Sequence, residues 1–255
     1  MAFDSPDRCL QTSKPTSMEL GVPIYAEHGE LRLRLQTHIS CIKLESGISE
    51  WYSPVEPGTG LHPRPASAST LKAHFPEIDE SWSSLWYPSR KGEEVEALHD
   101  RVKGFLTVFL PEVQRRFAGT HRRILLVGHA ATAIVLTQEL LGERVSFRAA
   151  CCSLTVLDRK VGDGVPLVGG GWTARLLGDG SHLKDGPQRD WGLEDIHFED
   201  GKVSSITFAD RSLGISQLVR SLFTFQVIND HGVPGTENEK DEPVGSQIIE
   251  RSSRM

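Results

Sequence analysis

The sequence has few cysteines, and they fall in no pattern that binds metal or builds a disulfide framework. Its 255 residues include Cys9, Cys41, Cys151 and Cys152. They form no Cys-x-x-Cys pair, and the adjacent Cys151 and Cys152 are poor disulfide partners for each other. These absences argue against a zinc site and a secreted disulfide scaffold, and they favour a reducing compartment.

The sequence also lacks long apolar runs and an excess of positive charge. No apolar stretch approaches the roughly 20 residues that a membrane span requires. Residues 1–6 have neither the charged start nor the apolar run of a signal peptide. The formal net charge is −6, whereas sequence-independent nucleic-acid binding favours a basic surface. We therefore expect a cytoplasmic or nuclear protein that does not enter a membrane and does not bind nucleic acid directly.

Helix-like and strand-like segments alternate along the chain. The spacing of apolar residues predicts helices over 8–20, 69–75, 92–117 and 132–141, and strands over 124–127, 153–157, 172–177 and 204–208. This alternation predicts an α/β domain over residues 1–227 with a largely parallel sheet. Residues 228–255 are polar with little periodicity, and we expect them to form a disordered tail.

The segment around His129 carries the strongest functional signal. The apolar run at 124–127 ends at Gly128-His129, and an amphipathic pattern follows, which predicts a strand, a tight turn and a helix. Ligands bind at this edge of open α/β sheets, and a helix N-terminus there favours an anion. An imidazole in this place can hold a phosphate or transfer a proton. The alternative is an ordinary turn residue.

Two other segments contain candidate site residues. In Ser-Pro-Asp-Arg at residues 5–8, the guanidinium of Arg8 would project near a helix N-terminus and could bind a phosphate. In Gly-Ile-Ser-Glu-Trp at residues 47–51, Glu50 beside an aromatic ring could keep its proton and act as a general acid. The alternatives are a surface arginine and a solvated loop glutamate.

In this order, the three segments resemble motifs of the histidine phosphatase superfamily, which has the phosphoglycerate-mutase-like fold. The resemblance covers roughly residues 4–157 and implies a three-layer α/β/α sandwich. It implies hydrolysis of phosphomonoesters through a phosphohistidine, on a small molecule or a phosphoprotein, without metal or organic cofactor. In that chemistry Arg8 and His129 would bind the phosphoryl group, and Glu50 would donate a proton to the leaving oxygen.

The nucleophile of that superfamily is missing from this sequence. It is a histidine in an Arg-His-Gly motif ahead of the Ser-Pro segment, and the chain contains no Arg-His-Gly. The same missing part carries the first central strand, so we expect a sandwich without that strand and with exposed edges. We therefore expect little or no phosphatase activity from this polypeptide. Glu27-His28-Gly29 is no substitute, because it follows Arg8 and places an acid where the family has arginine.

Residues 30–47 depart from the family spacing. They separate Glu27-His28-Gly29 from Ile48 to Trp51, which the family pattern would join almost directly. We expect an insertion over 30–47, either as a retained intron or as a tolerated surface loop, which closes at little entropic expense.

Several later segments resemble a fungal branch of the superfamily. These segments are residues 58–65, 71–79, 124–131, 181–186 and 189–191. The branch includes a tau subunit of the RNA polymerase III initiation factor, which implies an alternative function. The chain would then be a non-catalytic subunit that uses its fold as a protein-interaction module. A truncated, non-functional product is the third possibility.

Overall fold

The computed structural model of the protein describes residues 5–20, 45–76, 78–117, 123–199, 202–205, 226–227 and 230–248. Its α-helices are α1 (Ser5–Leu20), α2 (Ala68–Lys72), α3 (Val95–Phe117) and α4 (Ala130–Leu141), with short 3-10 helices at Ser46–Ile48 and Leu193–Asp195. Its strands are β1 (Trp86–Tyr87), β2 (Ala149–Cys151), β3 (Leu154–Arg159), β4 (Trp172–Asp179), β5 (Gln188–Trp191), β6 (Ile196–Glu199), β7 (Lys202–Ser205), β8 (Gln226–Val227) and β9 (Gly245–Ser246). The four helices agree with the predicted ones to within a few residues.

Helices α3 and α4 pack together at the centre of the main core. The apolar residues of α3 recur at helical spacing on one face and are buried as predicted. Phe105 stacks on Phe109 with ring centroids 4.8 Å apart, and Trp82 meets Phe109 edge-on at 6.0 Å. Val135 of α4 is buried in the same cluster. None of the helices in the described part of the chain combines the length and apolar character that a bilayer crossing requires.

The strands form small antiparallel sheets. The pairs are β1 with β9, β2 with β5 and β3 with β4, and β7 lies between β6 and β8. The predicted parallel sheet is therefore wrong for the described residues, where the only parallel pairing is the isolated bridge between Val55 and Asp230. A parallel sheet needs several strands joined by crossover helices, and the strand expected to lead into α4 has not formed.

The apolar run Ile124–Val127, predicted as that strand, has no regular secondary structure. Ile124 is 50% exposed, Leu125 46% and Leu126 36%. A strand completes its hydrogen bonds only with a neighbouring strand, and none of the described residues pairs with this run. Helix α4 forms directly after it, because a helix makes its backbone hydrogen bonds within itself.

Residues 230–248, predicted as part of a disordered tail, pack on the domain instead. Asp230 Oδ2 accepts hydrogen bonds from the backbone N–H and the hydroxyl of Ser53, at 2.9 and 2.7 Å. Asp241 accepts from the Arg90 backbone N–H and from Ser89 Oγ, each at 2.6 Å. The polar composition that suggested disorder thus supplies the contacts that hold this segment. Residues 249–255 lie outside the described part of the chain.

The last residues of the predicted insertion belong to the core. The carboxylate of Glu45 accepts hydrogen bonds from Gly47 N–H and Trp82 Nε1, each at 3.0 Å, and from the backbone N–H of Leu85. Gly47 lies so close to Phe105 that a Cβ there would meet the ring at 2.3 Å. Residues 45–47 are therefore part of the packed structure. The insertion over 30–47 stays a prediction, and its residues 30–44 lie outside the described residues.

Candidate functional site

His129 lies directly before α4, as the sequence predicted. It occupies the N-cap position with an extended backbone, and its carbonyl accepts a hydrogen bond from Ala133 N–H at 2.8 Å. The imidazole makes no capping bond to the helix backbone. It contacts side chains from two other parts of the chain, which identifies it as the centre of a polar cluster.

Glu50 is the first of these contacts. Its Oε2 lies 2.9 Å from His129 Nδ1, and its Oε1 accepts a hydrogen bond from Trp51 N–H at 3.1 Å. The side chains of His129 and Glu50 are 12% and 25% exposed, so the pair lies at a partly covered surface. The structure therefore brings together two of the three predicted site residues, which are far apart in the sequence.

Helix α3 fixes one side of the segment that carries Glu50. Arg101 is buried, and its Nη1 donates to the carbonyl of Gly47 at 2.8 Å while its Nε donates to Glu93 Oε2 at 2.8 Å. Trp51 Nε1 donates to the carbonyl of Glu93 at 2.8 Å. Arg101 thus holds the backbone before Glu50 at Gly47, and the carbonyl of Glu93 holds the indole of Trp51 after it. Sequence reasoning gave Arg101 no such role, because only its buried helix face reveals it.

Helix α4 fixes the other side of the same segment. Thr132 is buried, and its hydroxyl donates to the carbonyl of Ser49 at 2.7 Å. A Cβ added at Gly128 would lie 3.4 Å from the carbonyl oxygen of Ile48. Because Ser49 is bound to the helix that follows His129, Glu50 and His129 are held in a fixed relation.

Cys9 is the second contact of His129, and sequence reasoning missed it. Its Sγ lies 3.4 Å from His129 Nε2. The sequence feature that could have indicated this contact is the position of Cys9 beside Arg8 on the predicted first helix. Arg8 itself lies in the first turns of α1, and its side chain is outside the described residues. Its role as a phosphate ligand therefore stays a prediction.

The contacts around His129 change its protonation. Burial lowers the pKa of the imidazole, but the hydrogen bonds with Cys9 and Glu50, together with the charge of Glu50, outweigh burial and raise the pKa to about 9. The ring is therefore an imidazolium at neutral pH, and its two N–H groups point at Glu50 Oε2 and Cys9 Sγ. In this state Glu50 accepts hydrogen bonds, whereas a general acid would have to donate one.

Metal ligands do not assemble in the described part of the chain. Within those residues, no three side chains among the histidines, cysteines, aspartates and glutamates come together as a set that could hold an ion. The cluster of Cys9, His129 and Glu50 is held by hydrogen bonds and by ionic contact.

No family model matches this chain. The chain is similar to the transcription factor tau 55 kDa subunit of Saccharomyces cerevisiae, with 29% identity over 219 residues. The match covers 76% of this chain and 46% of the yeast protein, so the chain spans about half the length of the curated relative that it matches. The resemblance to a fungal tau subunit is thus confirmed, and membership of the histidine phosphatase superfamily stays a prediction.

Proposed function

We propose that this chain is a non-catalytic subunit of a fungal transcription-factor assembly and uses its fold as a protein-interaction module in the nucleus. The similarity to the transcription factor tau 55 kDa subunit over 76% of the chain carries this proposal. One further observation supports it. Both ring nitrogens of His129 contact side chains of the chain itself.

The surface that we propose for a partner is the apolar run Ile124–Val127. Its first three side chains, Ile124, Leu125 and Leu126, are exposed, and Val127 is half-buried. Exposed apolar patches on a protein surface often mark interaction sites. The occupant would be an apolar β-strand of another subunit, added alongside the run as in β-strand augmentation. The backbone of that strand would form hydrogen bonds with the backbone of the run. The pairing would complete a three-layer α/β/α sandwich around the helix α4.

Affinity purification of the tagged full chain from fungal cells tests this function. We expect subunits of transcription factor tau, identified by mass spectrometry, to co-purify with the wild type. Leu125→Asp should remove them, because a charge cannot be buried against an apolar strand. Val161→Asp is the matched control, since Val161 is fully exposed in the loop between β3 and β4.

The outcomes test the proposed function and the proposed contact surface independently. A wild-type preparation without any tau subunit would contradict the proposed function. Equal recovery of tau subunits with Leu125→Asp and Val161→Asp would leave the function standing and exclude Ile124–Val127 as the contact.

A second candidate function is phosphate binding in the manner of the histidine phosphatases. It is favoured by one observation, the 2.9 Å contact of Glu50 with His129 at the N-terminus of α4. Under this candidate Arg8 and His129 bind the phosphate and Glu50 is the proton donor. It requires the phosphate to displace Glu50 or Cys9 from the imidazolium.

Thermal unfolding with and without about 10 mM inorganic phosphate distinguishes the two candidates, because a ligand of the native state raises the unfolding temperature. Phosphate binding predicts a rise that is lost in His129→Ala and kept in His182→Ala, whose histidine is exposed. The interaction module predicts no phosphate dependence. Neither predicts turnover of a generic phosphomonoester by this polypeptide.

A further inference from the structure

Cys9, His129 and Glu50 form a continuous row of contacts. The Cys9 Sγ lies 3.4 Å from one ring nitrogen of His129, and Glu50 Oε2 lies 2.9 Å from the other. A thiol, an imidazole and a carboxylate in this order make up the arrangement that activates cysteine nucleophiles, because the imidazole takes the thiol proton and the carboxylate stabilises the resulting cation.

The position of Cys9 in this row is fixed by its own helix. Leu10, the next residue, is buried with Leu71 and Ile78 in a second apolar cluster. Ser13, one turn later, is buried, and its hydroxyl donates to the carbonyl of Cys9 at 2.7 Å. Leu10 packs α1 against the residues around α2. Rotation of the helix away from His129 would therefore remove Leu10 from that cluster.

The other end of the row is fixed as firmly. Glu50 lies in the segment that Arg101 and Thr132 hold from two sides, and His129 caps the helix that carries Thr132. The Nδ1–H group of His129 therefore keeps Glu50 Oε2 as its acceptor. This contact orients the ring so that Nε2 faces the sulfur of Cys9.

We propose that Cys9 is a nucleophilic modification site, that His129 is its proton partner and that Glu50 positions the imidazole. The co-reactant is an electrophile that a thiolate can attack, and the class that we propose is a hydroperoxide. This site is separate from the proposed partner contact, and it shares His129 and Glu50 with the phosphate-binding candidate.

The chemical step is an ordinary displacement at oxygen. In the reacting form the former thiol proton is already on Nε2 of the His129 imidazolium, and the Cys9 thiolate attacks the OH oxygen of the hydroperoxide. The S–O bond forms and the O–O bond breaks, so sulfur is oxidised to a sulfenic acid and the peroxide is reduced. The alkoxide leaves with the electron pair and takes the proton from His129, which gives an alcohol.

The chain contains its own controls for this chemistry. Cys151 and Cys152 are free and exposed, whereas Cys9 is partly covered. Access alone would make Cys9 the slowest of the three to react. Activation by an imidazole would reverse that order, because the thiolate is the reacting species and its population depends on the local electrostatics.

Alkylation kinetics test the proposal with iodoacetamide as the probe. The full chain at pH 7 is treated with a small excess of the reagent, and the modified fraction at each cysteine is followed by mass spectrometry of its peptides. We expect Cys9 to react roughly tenfold faster than Cys151 or Cys152. In His129→Ala and in Glu50→Gln the Cys9 rate should fall by at least a similar factor, while the rates at Cys151 and Cys152 stay the same.

The variant His182→Ala is the control for loss of a histidine elsewhere, and it should leave all three rates unchanged. Cys9 reacting more slowly than Cys151 and Cys152 in the wild type would overturn the proposal without any variant. An unchanged Cys9 rate in both His129→Ala and Glu50→Gln would overturn it as well. A variant that unfolds is recognised because Cys9, Cys151 and Cys152 then react at one common rate.

Discussion

Two apolar segments of this chain differ in how far their side chains are buried. On the apolar face of α3, Leu98, Val102 and Phe105 have no exposed surface. The run Ile124–Val127 has an equally apolar sequence, yet between a third and a half of the surface of its first three residues is exposed. Apolar character alone therefore does not decide burial.

The difference follows from where backbone hydrogen bonds are made. A helix pairs its N–H and C=O groups within itself, so α3 needs only one packing surface, which Trp82 and α4 provide. A strand must find its hydrogen-bond partner in another segment. Ile124–Val127 has no such partner among the described residues, and it stays at the surface despite its composition.

The largest expected effect lies in the buried segment. Phe105→Ala removes a ring that stacks on Phe109 and packs on Gly47, and we expect it to lower the free energy of unfolding by about 3–5 kcal/mol. The measurement is urea unfolding followed by tryptophan fluorescence. Val161→Ala should change the stability by less than about 0.5 kcal/mol. A loss below about 1 kcal/mol in Phe105→Ala would contradict the conclusion that the buried face of α3 stabilises the fold.

The second effect concerns the carboxyl group that joins the core to the segment 45–51. Glu45→Ala leaves the N–H groups of Gly47, Trp82 and Leu85 without this acceptor, and we expect a loss on the order of 2–4 kcal/mol. Glu96, which is exposed, provides the control Glu96→Ala. Similar losses in both variants would show that the carboxyl group of Glu45 contributes nothing particular.

The same substitution has a defined pH dependence. Burial raises the pKa of Glu45 from 4.5 to about 7, against the opposing effect of its hydrogen bonds. The native state then binds the proton more tightly than the unfolded state, so stability from this group falls as pH rises from about 4.5 to 7 and is constant above. The destabilisation by Glu45→Ala should therefore be larger at pH 5 than at pH 8, by up to about 3 kcal/mol.

The same contrast explains what the sequence could predict. The helices were predicted because their apolar periodicity and their hydrogen bonds are both local. Glu50 and His129 were paired through motif order, which reflects a shared three-dimensional arrangement. The row through Cys9 was missed, because Cys9 Sγ meets His129 only through the packing of Leu10 against Leu71.

The incorrect predictions share one physical cause. Each concerns a segment whose structure depends on hydrogen-bond partners that are distant in the sequence. The polar segment 230–248 was predicted to be disordered, yet Asp230 and Asp241 find donors in residues 53 and 89–90. The parallel sheet was predicted from alternation, which says nothing about which strands pair. Hydrogen bonds across such distances leave no periodic signal in either segment.

A smaller effect is expected at the pair of Glu50 and His129. A double-mutant cycle with Glu50→Gln and His129→Gln should give a coupling free energy of about 1 kcal/mol, because both side chains are partly exposed and the interaction is screened. The pKa of His129 is raised from 6.5 to about 9, so this stabilisation is complete below pH 6.5 and is lost as pH rises through 9. Unfolding in urea at pH 6.5 and pH 9.5 measures the change, and a coupling that grows with pH would contradict the assignment.

The smallest effect should come from Leu125, which lies in the exposed run Ile124–Val127. In the isolated chain Leu125→Ala removes little buried surface, since the side chain is nearly half exposed, and we expect a change within about 0.5 kcal/mol by urea unfolding. A buried leucine would lose about 2–5 kcal/mol on the same truncation. A loss of that size would mean that the run already has a strand partner within the chain. A negligible change, combined with weaker recovery of tau subunits in the same variant, would instead assign the apolar character of this run to a contact between subunits.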